Sequence, residues 1–387
     1  MTETKEAVVT DRGRLCLLSD DFLPANTGVG IYLQRVAPEL VKQGYEVTVI
    51  TSKRSGEQAF EVWKGVKVYR TFSVKMFGFY QALPSKKTIR SIFQKEKIEI
   101  VHHHYVGLLL KRAYDAAKGL GLIHLYTYHF SIDLLTKPLP MRPMKPLIKS
   151  LYYRYCNLFD GILTPSKALQ EQIRELAPNP PITVMSNPVA FDVENDKAPE
   201  RQYDGRPKIL FVGRLGHEKN LSYLFEAVAM LVAEGIIVDV EVIGDGPEKN
   251  TLLTVVERLD LGARVEFKGL IPHPELPKHY ATADIFVLPS VSEVQPMVVI
   301  EAMCFGLPAI VTNKIAAGPE LVDHGTTGFI VNAEEPQDLA TRLKELVTQP
   351  ELRNKMGEAA VGKSKEYALP TIVKRLDDYY QSIARSS

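Results

Sequence analysis

Short apolar runs alternate with longer amphipathic stretches along most of this chain. In the first half, LCLLSD (15–20), EVTVITS (46–52), VKVYR (66–70), IEIVHHH (98–104), LIHLYTYH (122–129) and GILTPS (161–166) read as strands. The stretches 30–44, 85–96, 107–118, 144–158 and 167–177 read as helices between them, the first closed by Gly44. A polar break at 193–207 (VENDKAPERQYDGRP) has the composition of a linker. The alternation then restarts with KILFVG (208–213), VDVEVIG (238–244), RVEFKG (264–269), DIFVLP (284–289) and PAIVT (308–312). This rhythm predicts an α/β fold of mostly parallel, doubly wound sheets. The boundaries follow: a Rossmann-like domain over 1–192, a linker over 193–207, and a second over 208–370, with a cleft expected between the two. An amphipathic helix from 371 to the end has no strand after it and is expected to pack back on the first domain.

Length and composition agree with this picture. A chain of 387 residues exceeds the ~250–300 residues at which single cores stop growing. Cys16, Cys156 and Cys304 lie far apart in apolar or aromatic surroundings, which predicts a reducing compartment and no disulfide framework or zinc site. No apolar run approaches the ~18–20 residues of a membrane span. The polar, acidic start MTETKEAVVTDRGR reads as no secretory signal, so the expected location is cytoplasmic.

The net charge is only +1, but it is unevenly distributed. Residues 1–195 carry 26 Lys/Arg against 18 Asp/Glu, and residues 196–387 carry 21 against 28. The first half is therefore expected to face something anionic. Residues 136–156 (TKPLPMRPMKPLIKSLYYRYC) hold five cations, no acids and four prolines among Leu, Met, Ile and Tyr. Lys145, Lys149 and Arg154 on this segment suit an anionic membrane surface; a solvated basic face over a core helix is the plainer alternative. Nucleic acid is not expected as a partner, since the chain is near neutral and holds no RNA or DNA module pattern.

Candidate chemistry gathers at the ends of strands. Residues 292–308 read SEVQPMVVIEAMCFGLP, with Glu293 in the loop after a strand and Glu301 a turn into the next helix. Carboxylates there accept hydrogen bonds from ligand hydroxyls, as sugars and riboses require, or stand as solvated acids at a helix start. In GRLGHEKN (213–220), Arg214 and Lys219 at a helix N-terminus fit a diphosphate or form a solvated loop. Gly28 and Gly30 open the first helix and allow close backbone approach, without the full dinucleotide fingerprint. Gly244-Asp245-Gly246-Pro247 has the shape of a tight turn with Pro at the first helical position. His102, His103 and His104 alternate faces of one strand and lack partners at ligand spacing, so no metal is expected. His129, ending the next strand, is the better candidate for polar work.

Taken together, these segments resemble glycosyltransferase family 4. GRLGHEKN is similar to that family's G-R-L-x-x-E-K-[GN], and Glu293-x7-Glu301 to its E-x7-E segment. GDGP, FKGLIPHPEL, TPSKAL, SNPV and ELVDHGTTGFIV fall in the family's order. The resemblance implies the GT-B fold, with a nucleotide-sugar donor held mainly by the second domain and an acceptor by the first. It implies that Arg214 and Lys219 grip the donor diphosphate, that Glu293 bonds the donor sugar and that Glu301 bonds the ribose. Backbone near Leu270 and Ile271 contacts the base, Gly28 and Gly30 lie near the diphosphate, and His129 lies by the transferred sugar. It further implies transfer with retention, no enzyme nucleophile and no metal or other cofactor. Pro296 stands where the family has glycine, so the amides of Gln295 and Met297 are expected to serve the donor. Thr27 likewise replaces the first glycine of the N-terminal loop.

LIHLYTYHFSIDLL, DGILTPSKAL and VYRTFSVKMFGFYQALPS look like the acceptor domain of bacterial diacylglycerol glucosyltransferases. The favoured expectation is a hexosyltransferase using UDP-glucose on a membrane lipid such as diacylglycerol, peripheral on the inner face of the cell membrane. The alternatives are mannose transfer from GDP-mannose, or a polysaccharide, phospholipid or soluble acceptor. A sugar-nucleotide epimerase and a non-catalytic nucleotide-sugar-binding subunit are the rival classes. Oligomeric state is not legible in the sequence.

Overall fold

The computed structural model describes residues 12–24, 27–76, 79–105, 107–129, 145–189, 191 and 206–386. The basic stretch 136–144 and most of the linker 193–207 lie outside the described residues, as do the side chains of Lys145 and Lys149. The chain forms two compact units. The described residues up to Pro165, together with Gln170–Ser186 and the chain from Leu369, make the first; Ser166–Leu169 and the described residues of Asn187–Ala368 make the second.

The first unit is built on an eight-stranded sheet. Its strands are β1 (Arg14–Leu18), β2 (Glu46–Ser52), β3 (Phe60–Trp63), β4 (Val66–Thr71), β7 (Ile100–His103), β8 (Ile123–Thr127), β9 (Gly161–Thr164) and β10 (Ile182–Val184). The order is β10-β9-β8-β7-β1-β2-β4-β3. Only β3 runs antiparallel to its neighbour; the other pairs are parallel. A separate hairpin pairs β5 (Ser73–Met76) with β6 (Phe79–Ala82). Period-two alternation sends Leu15 and Leu17 into one core layer and Cys16 and Leu18 into the other, so helices cover both faces.

The second unit holds a parallel sheet of β11 (Lys208–Val212), β12 (Asp239–Ile243), β13 (Val265–Gly269), β14 (Ile285–Leu288), β15 (Ala309–Thr312) and β16 (Gly328–Val331), in the order β13-β12-β11-β14-β15-β16. In both sheets the first strand in chain order lies between neighbours that lead the chain outwards in opposite directions. Such switch points open a crevice beyond the carboxyl ends of the strands, where open α/β sheets take their ligands.

The periodicity located eleven of these strands, reading β4 one residue short, and missed β3, β5, β6, β10 and β16 in the form they take. β3 alternates exposed and half-buried positions and carries no apolar run, so its edge position hides it from a hydrophobicity pattern. The boundary between units also differs from the expected one. Val189 and Phe191 belong to the second unit's core, and Val189 N–H donates to Tyr367 O at 2.8 Å, so that core claims the chain from Asn187 rather than from 208.

The last helix, Leu369–Ser386, packs in the first unit's core through Ile372, Val373, Leu376 and Tyr380. Tyr45 Oη donates to the buried Asp377 at 2.7 Å, and Arg12 pairs with the same carboxylate at 3.3 Å. Among the described residues, no helix is long and apolar enough to cross a membrane.

Candidate functional site

In the second unit, residues 213–220 leave β11 and residues 289–296 leave β14, its direct neighbour in the sheet. Val291 N–H donates to Glu218 O at 2.9 Å, tying the two loops together. Lys219 Nζ then reaches Glu293 and donates to its carboxylate, although 74 residues separate them. Both side chains are mostly covered, at 14% and 17% exposure, so solvent screens this pair weakly. Arg214, 62% exposed, pairs with Glu218 one turn later. Burial raises the Glu218 pKa, but hydrogen bonding and the Arg214 and Lys219 charges outweigh it and hold the carboxyl below its ordinary value. Two cations and two carboxylates thus meet at the carboxyl edge of β11 and β14, where a diphosphate and sugar hydroxyls would each find partners.

The neighbouring loop supports this arrangement from below. Gly244 has φ of +136°, and a Cβ there would lie 1.9 Å from Gly213 O, so only glycine lets the GDGP turn pass beneath GRLG. Leu215 N–H donates to Asp245 O at 2.9 Å across the same contact. Pro247 stands in the turn ahead of the helix, which begins at Lys249 and not at Pro247 as its spacing suggested.

Glu301 stands about one turn into its helix, as its spacing suggested, and is deeply covered. It lies on the helix Met297–Cys304 and is 5% exposed. Its carboxylate bonds His273 Nε2 at 3.1 Å and accepts from Tyr280 Oη at 2.9 Å. His273 stacks on Phe191 with ring centroids 4.7 Å apart, and Tyr280 stacks on Phe305 at 5.5 Å. A carboxylate has about four acceptor sites, so Glu301 keeps capacity for a ligand hydroxyl after both protein bonds. Leu270, 78% exposed, and the half-buried Ile271 follow β13 on the segment that leads to His273. Pro296 precedes Met297 without a side-chain cap, and Gln295 Oε1 accepts from Asn187 N–H at 2.9 Å.

In the first unit, Thr27 does what a glycine could not. Its hydroxyl caps the helix Gly28–Lys42 by accepting from Gly30 N–H at 3.1 Å. A Cβ at Gly28 would meet nothing within 4 Å. Tyr32, one turn into this helix, packs its ring against His129 at 5.1 Å between centroids. His129 is half-buried, and burial pushes its pKa down to about 3, so the ring is neutral near pH 7. Arg154 is exposed on the helix Lys145–Cys156.

The sequence reading singled out neither His273, Tyr280, Glu218 nor His104 as working residues. Glu218 was detectable, standing four residues after Arg214 at the spacing of a helical ion pair. His273 and Tyr280 were not, because their link to Glu301 spans 28 and 21 residues and forms only in the folded unit.

Two family models match the chain: "Glycosyltransferase Family 4" over residues 26–193 and "Glycosyl transferases group 1" over residues 192–362. The chain belongs to glycosyltransferase family 4. It is 25% identical to an alpha-monoglucosyldiacylglycerol synthase of Streptococcus pneumoniae, over 83% of this chain and 78% of that protein. Among solved structures, a sucrose-phosphate synthase of Thermosynechococcus elongatus superposes with a TM-score of 0.79 at 18% identity, covering 97% of this chain and all of the other. Anabaena HepE, solved with UDP-glucose, superposes with a TM-score of 0.70 at 17% identity over 96% of this chain and all of the other. These likenesses establish the GT-B fold for this glycosyltransferase.

Proposed function

We propose that this glycosyltransferase moves a hexose, with glucose favoured, from UDP-glucose to a hydroxyl of a membrane lipid such as diacylglycerol, with retention of configuration. The observation that carries the donor half is the Lys219–Glu293 pair beside Arg214 at the carboxyl edge of β11 and β14. A nucleotide sugar offers a partner to each group. Its diphosphate takes Arg214 and Lys219, and its sugar hydroxyls donate to Glu293. Glu301 accepts from the ribose, the backbone at Leu270 and Ile271 meets the base, and the amides of Gln295 and Met297 face the phosphates.

In the reaction, the acceptor hydroxyl approaches the anomeric carbon on the face of the leaving group. The bond from that carbon to the phosphate oxygen breaks, the bond to the acceptor oxygen forms, and the acceptor proton passes to a donor phosphate oxygen. Arg214 and Lys219 stabilise the charge that builds on the departing diphosphate. With two fixed cations in that role, the proposed reaction uses no metal, and turnover is expected to survive EDTA. Loss of activity in EDTA, restored by a divalent ion, would overturn that part.

The lipid half of the proposal is supported by the similarity to a glucosyldiacylglycerol synthase and by the basic excess of the first half of the chain. It carries with it a peripheral place on the inner face of the cell membrane. The deciding experiment offers the protein a panel of labelled nucleotide sugars, with and without vesicles containing diacylglycerol, and identifies the products and their anomeric configuration. Glucolipid formed from UDP-glucose only when vesicles are present is the expected result. Product on a soluble acceptor alone, or from GDP-mannose, would overturn it.

A further inference from the structure

Five of the nine histidines lie in the first unit, and none has a metal-ligating neighbour set among the described residues. His102 and His104 leave the same face of β7 and its carboxyl end, with ring centroids 4.2 Å apart. His102 is held at both nitrogens, Nδ1 by Tyr380 Oη and Nε2 by Thr127 Oγ1, each at 2.7 Å. His104 is 1% exposed. Its Nδ1 lies 3.0 Å from His129 Nε2, while its own Nε2 has no hydrogen-bond partner. Tyr32 packs on both rings, at 5.6 Å from His104 and 5.1 Å from His129. No carboxylate, Lys or Arg bonds either ring among the described residues.

A neutral imidazole carries one N–H and one bare nitrogen. The two facing nitrogens must therefore be in opposite states. If His129 Nε2 carried the proton, His104 would have to carry its own on Nε2, leaving a buried N–H with no acceptor. Buried N–H groups without acceptors are rarer than acceptors without donors, because desolvating the donor is not compensated. The opposite assignment strands only a lone pair. Burial keeps both rings uncharged at neutral pH, so no third arrangement competes.

We infer that His104 is a positioning residue: its Nδ1–H donates to His129 Nε2 and fixes His129 with its proton on Nδ1, as a hydrogen-bond donor. His129 then gives an N–H to an oxygen of the bound sugar nucleotide, and its Nε2 is unavailable to accept a proton from the acceptor hydroxyl. The tautomer stands on the geometry and burial of the two histidines; the ligand it serves rests on the glycosyltransferase reading above.

The test labels the histidines of the full chain with ¹⁵N and reads, from long-range correlations to the ring protons, which nitrogen of His129 is protonated between pH 6 and 8. The His129 signals are identified by their loss in His129→Asn. Nδ1 protonated and Nε2 bare is the expected result; a proton on Nε2 would overturn the inference. A second arm compares His104→Asn, whose amide N–H replaces the Nδ1 donor, with His104→Leu, which has none. With UDP-glucose as the probe, His104→Asn should keep kcat/KM within about 3-fold and His104→Leu should lose about 10-fold, the worth of one net hydrogen bond. His129 should keep its tautomer in the first variant and become a mixture in the second. Equal behaviour of the two variants in both readouts would sink the positioning role. The spectra are read without sugar nucleotide, so a chain that fails to turn over UDP-glucose counts against the donor reading and not against the histidine pair.

Discussion

At the residue scale, the chemistry of this protein rests on which charges are covered. Lys219 and Glu293 are mostly buried and partnered, whereas Arg214 stands largely in solvent. The covered pair should therefore matter more. Lys219→Ala is expected to lower the rate of transfer from UDP-glucose by roughly 10²-fold or more, as loss of a charge-stabilising group does. Steady-state kinetics would show this, and near-normal turnover would remove Lys219 from the diphosphate role. Much of this residue picture was legible in the sequence. GRLGHEKN and the E-x7-E spacing each name their residues because each is a loop-to-helix turn encoded locally. The partners were not legible. Nothing near Glu301 in the chain announces that His273 and Tyr280 occupy its carboxylate, and Thr27 looked like a lost glycine until its hydroxyl was seen capping the helix.

At the element scale, two helices make separate demands. The last helix is anchored by one buried carboxylate, Asp377, which takes Tyr45 Oη and Arg12. Tyr45→Phe removes a buried donor and leaves that oxygen short of a partner. The variant should lose about 1–2 kcal/mol of stability, read as a lower urea midpoint at unchanged slope; an unchanged midpoint would show that the tie is idle. The helix Lys145–Cys156 carries the proposed membrane contact. Neutralising Lys145, Lys149 and Arg154 together should weaken binding to anionic vesicles by about 1 kcal/mol per cation and leave UDP-glucose binding intact. Vesicle binding that does not change would end the membrane reading of this segment. Strand and helix positions came through well from periodicity, because the buried strands are continuous apolar runs. The edge strand β3 did not, since half of it faces water.

At the scale of the whole molecule, five neutral histidines in one unit, four buried and His129 half-buried, set the response to acid. Burial lowers His102 and His129 to about 3 and His124 to about 4, and His103 and His104 lie well below their ordinary value. The unfolded chain binds protons at these sites from about pH 6.5 downward, while the folded chain does not. Their stabilising contribution is complete above that pH and falls as pH drops toward the folded values, each by up to about 1.4 kcal/mol per pH unit. Asp20 and Asp21 work the other way: burial raises Asp20 to about 7 and lifts Asp21 above its ordinary value, so ionising them opposes folding as pH rises. Two acids against five histidines leave the net loss on the acid side. The urea midpoint should fall clearly between pH 7 and pH 5; a flat profile would mean that these rings are not buried neutral. The sequence by itself determined the α/β class, most of the strands and the two loop-to-helix segments that carry Arg214, Lys219, Glu293 and Glu301, because hydrophobic period and turn chemistry act over a few residues. Only the tertiary structure decided that β11 lies beside β14, which brings Lys219 to Glu293, and that β7 lies beside β8, which brings His104 to His129. Those pairings depend on how whole elements pack to bury their apolar faces, and that is a property no local pattern contains.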